Sequence, residues 1–263
     1  MPGVPYELKE MVIGTVLPDL QRRAGMTAVI KSRTLRTWGS SESRLAELLA
    51  GRIALLDKVS NPTLAFLASG IEGIRVRITA KAPDPAAADS ILAEEESRLR
   101  EILGDLVFAV DGETMESVVI GLLRQQRLTL ALAESVSGGL AAARLSAVPG
   151  ATEVLRGAIV CTTPELTKVL NIAKEPLPSG AAAEAMALGV CRLFGADVGL
   201  AVSGVIDPES TGKLAGTVFL GLAIAGRATV QEIRLPADRE RMRQFSVISL
   251  LNLLRLRLLG RNG

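Results

Sequence analysis

The chain has no histidine in its 263 residues. That absence excludes every serine–histidine–carboxylate triad and removes the commonest metal ligand. Hydrolytic chemistry is left to Ser, Thr, Lys, Tyr or carboxylates. Cysteine is nearly as scarce. Cys161 and Cys191 stand far apart in apolar contexts, which fits free buried thiols in a reducing compartment rather than a disulfide framework or a metal site. No metal and no cofactor are expected. Aromatics make up only 3% of residues, so the core has to be built from Ala, Val, Leu and Ile. No apolar run reaches the ~18 residues of a membrane span. The opening segment, Met1 to Leu8, lacks the basic region and apolar stretch of a secretory signal. A cytoplasmic chain with no membrane partner is therefore expected. The net charge is only +2 and no basic run occurs, which argues against a broad nucleic-acid surface.

What is present is an apolar fraction of 48%, enough for a real core in one large domain or two ordinary ones. Residues 26–106 read as a β-α-β-β-α unit. Strands are expected over Thr27–Thr37, Thr63–Ala68 and Ile74–Ala80, with helices from Ser41 and over Asp84–Leu103. Arg75, Arg77 and Thr79 alternate with Val76 and Ile78, as a sheet with one wet face requires. Gly70-Ile71-Glu72-Gly73 matches the G-x-x-G of RNA-binding KH modules. Here, however, the glycines fall between two strands, and Glu72 would repel phosphate. A turn is expected there, Arg33, Arg36, Arg75 and Arg77 read as solvated, and nucleic acid is not an expected partner. Ahead of this unit, Tyr6 to Leu20 reads as an amphipathic helix.

Residues 107–263 alternate helices with apolar strands. Helices are expected over Glu113–Arg127, Gly138–Leu145, Pro164–Leu170 and Gly180–Phe194 and from Asp238 onward. Strands are expected over Leu128–Ala133, Gly157–Thr162, Asp197–Val202, Gly216–Ile224 and Ala228–Leu235. The pattern predicts an α/β fold: a C-terminal α/β sandwich with a mostly parallel sheet and an antiparallel edge, preceded by the small α+β unit. The richest stretch is Ala133 to Leu140, a strand end, a polar turn with paired glycines, then a helix. Ser135 and Ser137 place hydroxyls beside a helix N-terminus whose N–H groups suit an anion, and Gly138 and Gly139 let a ligand approach the backbone. The same turn also reads as a capped connection with no ligand, Ser137 being the N-cap. In such sheets ligands bind beyond the C-terminal strand ends, where Glu134–Gly139 and Ser203–Pro208 fall.

Glu134-Ser135-Val136-Ser137-Gly138-Gly139-Leu140 resembles the E-S-C-T-G-G-L signature of the CinA family's C-terminal domain, a nicotinamide mononucleotide deamidase domain. Ala141–Gly150, Gly195–Gly204, Gly216–Ala223 and Arg234–Arg243 resemble further blocks of that family in the same order. Residues 26–106, with the string Arg33 to Gly39, resemble its KH-like middle domain. Residues 1–25 resemble the end of the molybdopterin-binding-like domain that precedes it, the rest of which is missing. The resemblance implies hydrolysis of nicotinamide mononucleotide to nicotinate mononucleotide and ammonia, a pyridine nucleotide as partner, and a homo-oligomer.

Carried over residue by residue, the resemblance places Thr152 at the nucleophile position, since the family's Pro-Gly-x-Ser reads Pro149-Gly150-Ala151-Thr152. It makes Ser135 and Ser137 further catalytic hydroxyls. Glu134, Gly138, Gly139, Thr162, Ser203, Gly204 and Arg239 become substrate-binding residues, with Arg239 on the phosphate. Several positions depart from the family pattern. Its strand-end tyrosine is Thr162. Its lysine falls at Thr167, with Lys168 one position on and turned by about 100° on a helix. Its Gly-x-Ala-Gly-Pro loop reads Gly204-Val205-Ile206-Asp207-Pro208, and its Val-Ser-Glu block reads Pro178-Ser179-Gly180. Two readings stay open: an amidohydrolase, working or altered, with Lys168 as the candidate base, or a catalytically silent relative that binds a nucleotide or another protein.

Overall fold

The structure is a computed structural model that describes residues 5–24, 28–68, 70–160, 168–172, 177–205, 215–236 and 238–261. Packing divides the chain into two units. The first comprises the described residues within Met1–Leu35, Ser43–Leu67 and Val76–Gly104, and the second those within Arg36–Glu42, Ala68–Arg75 and Asp105–Gly263.

In the first unit the expected N-terminal helix is interrupted. α1 (Pro5–Met11) and α2 (Leu17–Ala24) are joined by a π-helical stretch, Val12–Val16. Pro18 has no N–H for the Gly14 carbonyl, and the β-branched Val12, Ile13, Thr15 and Val16 crowd the turn, so regular α geometry gives way there. The strands and helices that follow are β1 (Val29–Thr37), α3 (Glu42–Val59), β2 (Thr63–Ala68), β3 (Ile74–Ala82) and α4 (Pro85–Leu103). Asp84 caps α4 as expected, its carboxylate accepting from Ala87 N at 2.8 Å. β3 buries Val76, Ile78 and Ala80 and exposes Arg77, the alternation read from the sequence. Glu95, 1% exposed, is met by the Arg52 guanidinium, which shields its charge. Within this unit the strands run in the order β2-β3-β1; β4 (Val107–Val110), which opens the long segment of the second unit, was not anticipated. Four residues carry too little periodicity to announce a strand.

The G-x-x-G segment belongs to the second unit, as a 3-10 turn, Gly70–Glu72, between β2 and β3. It is a turn between strands, as expected. A Cβ at Gly73 would stand 2.1 Å from the Thr37 carbonyl oxygen, so packing accounts for that glycine. Glu72 pairs with Arg36 and, at 2.6 Å, with Arg75.

The second unit carries a five-stranded sheet of order β6-β5-β7-β8-β9. Its strands are β5 (Leu130–Glu134), β6 (Leu155–Val160), β7 (Val198–Gly204), β8 (Thr217–Ile224) and β9 (Arg227–Arg234). β5 lies parallel to β6 and β7, and β8 and β9 complete the sheet in antiparallel fashion. Its helices are α5 (Met115–Gln126), α6 (Leu140–Ser146), α7 (Gly180–Phe194) and α8 (Arg239–Leu258). Alternation along β5 separates two cores. Leu130 and Leu132 join the apolar residues of α5, α6 and α8, while Ala131 and Ala133 join those of α7. The α7 side is built small so that the helix can sit close. A Cβ at Gly199 would stand 2.0 Å from the Ala187 carbonyl oxygen, and one at Gly221 would stand 2.3 Å from that of Ala183.

Parallel register decides where a site can form. Leu130 pairs with Leu155 at one end of β5, and Glu134 pairs with Val160 and Val202 at the other. The C-terminal ends of β6, β5 and β7 therefore lie level and side by side.

Candidate functional site

At that edge the chain leaves β5, turns through Ser135–Gly139 and enters α6. Ser135 N donates to the Val202 carbonyl at 3.0 Å, which sets Ser135 beside Ser203 at the end of β7. Gly138 N donates to the Ser135 carbonyl at 3.1 Å and closes the turn. Gly138 and Gly139 both have positive φ, 61° and 88°, a conformation open to glycine at little cost. Val136 packs toward Gly204, and Val160 toward Gly139.

Glu134 is fully buried and holds this turn from within. Its carboxylate accepts from Ser137 Oγ at 2.6 Å, Ala141 N at 3.0 Å and Ala142 N at 2.8 Å. The first N–H groups of α6 therefore serve an internal carboxylate rather than an incoming anion. Ser137 is likewise fully buried, and its hydroxyl proton is directed at Glu134. It does not act as the N-cap, a position held by Gly139 without a side-chain bond. What the turn keeps available are the N–H groups of Val136, Ser137 and Gly139, which have no acceptor among the described residues. The half-buried Ser135 has no side-chain partner among them either.

The structure thus brings together Glu134, Ser135, Ser137, Gly138, Gly139, Ser203 and Gly204. It adds one residue that sequence reasoning missed. Arg243, on α8, donates from Nε to the Ser137 carbonyl at 3.1 Å. The available signal was its place four residues after Arg239, on the same helix face. Arg239 itself is the first residue of α8 and is exposed, and Asp238 caps that helix through Arg241 N at 2.8 Å.

Thr152 is a correction. It is exposed in the 3-10 turn Ala151–Glu153 that leads into β6, at the N-terminal end of that strand. Leu155 pairs with Leu130, so the length of β5, about 13 Å, separates Thr152 from Ser135. Within one chain the two hydroxyls cannot act on the same carbonyl. Lys168 is exposed in a short helical piece, whereas a lysine acting as base needs burial. Thr162 and Cys161 lie outside the described residues, as do Ile206–Pro208. Cys191 is half-buried, and burial pushes its thiol pKa up.

A groove of about 580 Å³ runs beside the turn, lined among others by Thr114, Glu116, Leu140, Arg144, Val148 and Gln244. Leu140 directly follows the glycine turn, and Gln244 directly follows Arg243. Glu116 and Arg144 pair at 2.5 Å, although the contact lies off the hydrogen-bond direction of Glu116 Oε1. Among the described residues no group of acidic or cysteine side chains could hold a metal ion, and no helix is long and apolar enough to cross a membrane.

Comparison with known proteins agrees with this architecture. The CinA C-terminal domain matches residues 112–258, and the KH domain of the damage-inducible protein CinA matches residues 32–109. A CinA-like protein of Frankia casuarinae is 45% identical over 99% of this chain, and one of Gloeobacter violaceus is 40% identical over 97%. The chain spans 61% of the length of each of these relatives. Among solved structures, a CinA superfamily protein from Klebsiella pneumoniae superposes with a TM-score of 0.53 at 28% identity, covering 56% of this chain and 96% of its own. The competence/damage-inducible protein of Agrobacterium tumefaciens gives 0.51 at 26%, covering 55% and 93%. With its C-terminal half matched throughout the sheet, the glycine turn and the start of α8, the chain belongs to the CinA family.

Proposed function

We propose that the second unit is an amidohydrolase that cleaves the carboxamide of nicotinamide mononucleotide. The observation that carries this reading is the meeting of Ser135 with the Ser203–Gly204 strand end at a turn whose N–H groups at Val136, Ser137 and Gly139 lack acceptors among the described residues. Ser135 Oγ is the candidate nucleophile. Its attack on the carboxamide carbon would place negative charge on the carbonyl oxygen, and the N–H groups of the turn are donors for that charge. Collapse of the intermediate expels ammonia and leaves an ester on Ser135, which water hydrolyses to nicotinate mononucleotide. Glu134 keeps the turn in shape. The adjoining groove, about 580 Å³, falls in the size range of small-molecule sites. A cytoplasmic homo-oligomer that uses no cofactor is part of the same reading.

A second reading, nucleotide binding without turnover, is favoured by one observation. Ser135 Oγ has no base among the described residues, and Lys168 is exposed. Ammonia release from nicotinamide mononucleotide, compared between the wild type and Ser135→Ala, separates the two. Release that disappears in the variant supports the hydrolase. Thermal stabilisation by the nucleotide without release supports the binding protein.

A further inference from the structure

We propose that the groove beside the turn is a second ligand site, separate from the turn itself. In it Glu116 accepts the paired hydroxyls of an uncharged ligand with a flat apolar body, the chemistry of a nucleoside without phosphate. The proposal goes beyond the hydrolase reading, which makes no use of Glu116. The groove measures about 580 Å³, and among the described residues none from Ser135–Gly139 or from β7 lines it. It follows α6 and its exit from Leu140 to Pro149, with the start of α5 and Gln244 of α8 as further walls.

Glu116 is the observation that points to a ligand. Its carboxylate lines the groove, yet the residue is only 5% exposed. Neither oxygen meets a hydrogen-bond donor among the described residues, and Oε1 is enclosed. Arg144 lies at 2.5 Å but off the hydrogen-bond direction, so it balances the charge and leaves the lone pairs unmet. A buried carboxylate in that state has lost water without gaining a donor, a cost that a bound donor relieves.

The other polar groups of the groove narrow the chemistry. Thr114 and Ser117 satisfy each other in the capping box of α5. Glu72 is held by Arg36 and Arg75. Gln244 Nε2 donates to Glu240 at 2.5 Å, which leaves Gln244 Oε1 as a further acceptor. Arg144 is the one cation among the described lining residues, and it already faces a carboxylate. An anionic ligand therefore finds no free charge there, whereas a neutral hydrogen-bond donor finds acceptors. A carboxylate accepts two donors at once, so both hydroxyls of a vicinal diol can be met together. Ile71, Leu140, Val148 and Pro149 supply apolar surface on which a flat ring system rests.

The test titrates the full chain with adenosine, guanosine, cytidine and uridine. Binding is read by calorimetry and by the fluorescence of Trp38, the only tryptophan, which packs against Phe245 beside Gln244. The tightest binder is then compared with its 2′,3′-dideoxy analogue on the wild type, Glu116→Gln, Ala147→Phe and Ser135→Ala. Removing the diol is expected to weaken binding by about 10- to 100-fold, the range for hydrogen bonds to a charged group. Glu116→Gln should weaken the ribonucleoside by a similar factor and leave the dideoxy analogue unchanged. Ala147→Phe adds a ring to the groove wall from an exposed position and leaves the ion pair untouched. It should abolish binding of both ligands, and it carries the test if Glu116→Gln does not fold. Ser135→Ala, at the turn, should bind both as the wild type does. The proposal is overturned if no ribonucleoside binds, or if the dideoxy analogue binds as well as its parent. Equal weakening of both ligands by Glu116→Gln, or full binding to Ala147→Phe, overturns it too. Loss of binding in Ser135→Ala would place the nucleoside at the turn, with the same consequence. Ammonia release does not enter, so the hydrolase reading stands or falls by its own assay.

Discussion

Ser137 Oγ donates to Glu134 Oε2 at 2.6 Å, and both side chains are fully buried. The same carboxylate takes the N–H groups of Ala141 and Ala142, so the last residue of β5 caps the helix that follows it. Replacing Glu134 with Ala leaves these buried donors without an acceptor. The expected cost is about 3–5 kcal/mol, because unsatisfied buried groups lose their full solvation. Ser137→Ala removes a single donor and should cost about 1–2 kcal/mol. Urea unfolding measures both. Equal midpoints for the two variants would show that water enters and replaces the carboxylate.

The opposite placement of Ser135 and Thr152 makes a kinetic prediction. Ser135→Ala should reduce ammonia release by about 10³-fold or more, as expected for loss of a nucleophile. Thr152→Ala should leave kcat and KM unchanged, because about 13 Å of strand lies between the two residues. If Thr152→Ala abolishes release in a folded protein, the site draws Thr152 from a second copy of the chain.

Much of this architecture was legible in the residues. Gly180–Phe194 was read residue for residue, because Ser179 caps it and Gly195 ends it in the left-handed conformation. Asp84 and Asp238 marked their helices in the same way. Local signals of this kind need only a few neighbouring residues. The misses at the site are about which residues meet. Arg243 meets Ser137 across more than a hundred residues, and its spacing from Arg239 gives a helix face but not the partner. Thr152 stood at the nucleophile position by family resemblance, and motif order says nothing of which end of its strand a residue occupies. Only the parallel register of β5 and β6 puts it and Ser135 at opposite ends. The helix N-terminus looked open to an anion because the sequence does not say that Glu134 turns back to fill it.

The small face of the sheet gives a packing prediction. A Cβ at Gly199 would meet the Ala187 carbonyl oxygen at 2.0 Å, and backbone cannot swing aside as a side chain can. Gly199→Ala is therefore expected to push α7 off β7 at a cost of about 3 kcal/mol, the upper end of overpacking penalties. Gly226→Ala is the control, a glycine of positive φ with open space around it, where only backbone strain of about 1–2 kcal/mol applies. Thermal melts should rank Gly199→Ala below Gly226→Ala, and the reverse order would mean that α7 sits less tightly than its carbonyls indicate.

Acid stability should depend on Asp197, at the end of the sheet remote from the site. Its carboxylate accepts from Thr129 Oγ1 at 2.6 Å and from Thr129 N at 2.8 Å, joining the starts of β5 and β7. Those bonds, the hydroxyl's first, hold its pKa below the ordinary carboxylate value. A carboxyl whose pKa is lower folded than unfolded stabilises the fold fully above its unfolded value of about 3.9. The contribution fades as pH falls from there through the folded-state pKa, where the native carboxylate is protonated as well. Asp197→Asn should therefore melt below the wild type near pH 6, and the gap should close on acidification below about pH 4. Asp197 is exposed, so the effect is small, and Thr129→Val should reproduce its direction. A gap that persists unchanged to about pH 2 would mean that the asparagine perturbs the strand starts by shape, with no contribution from charge.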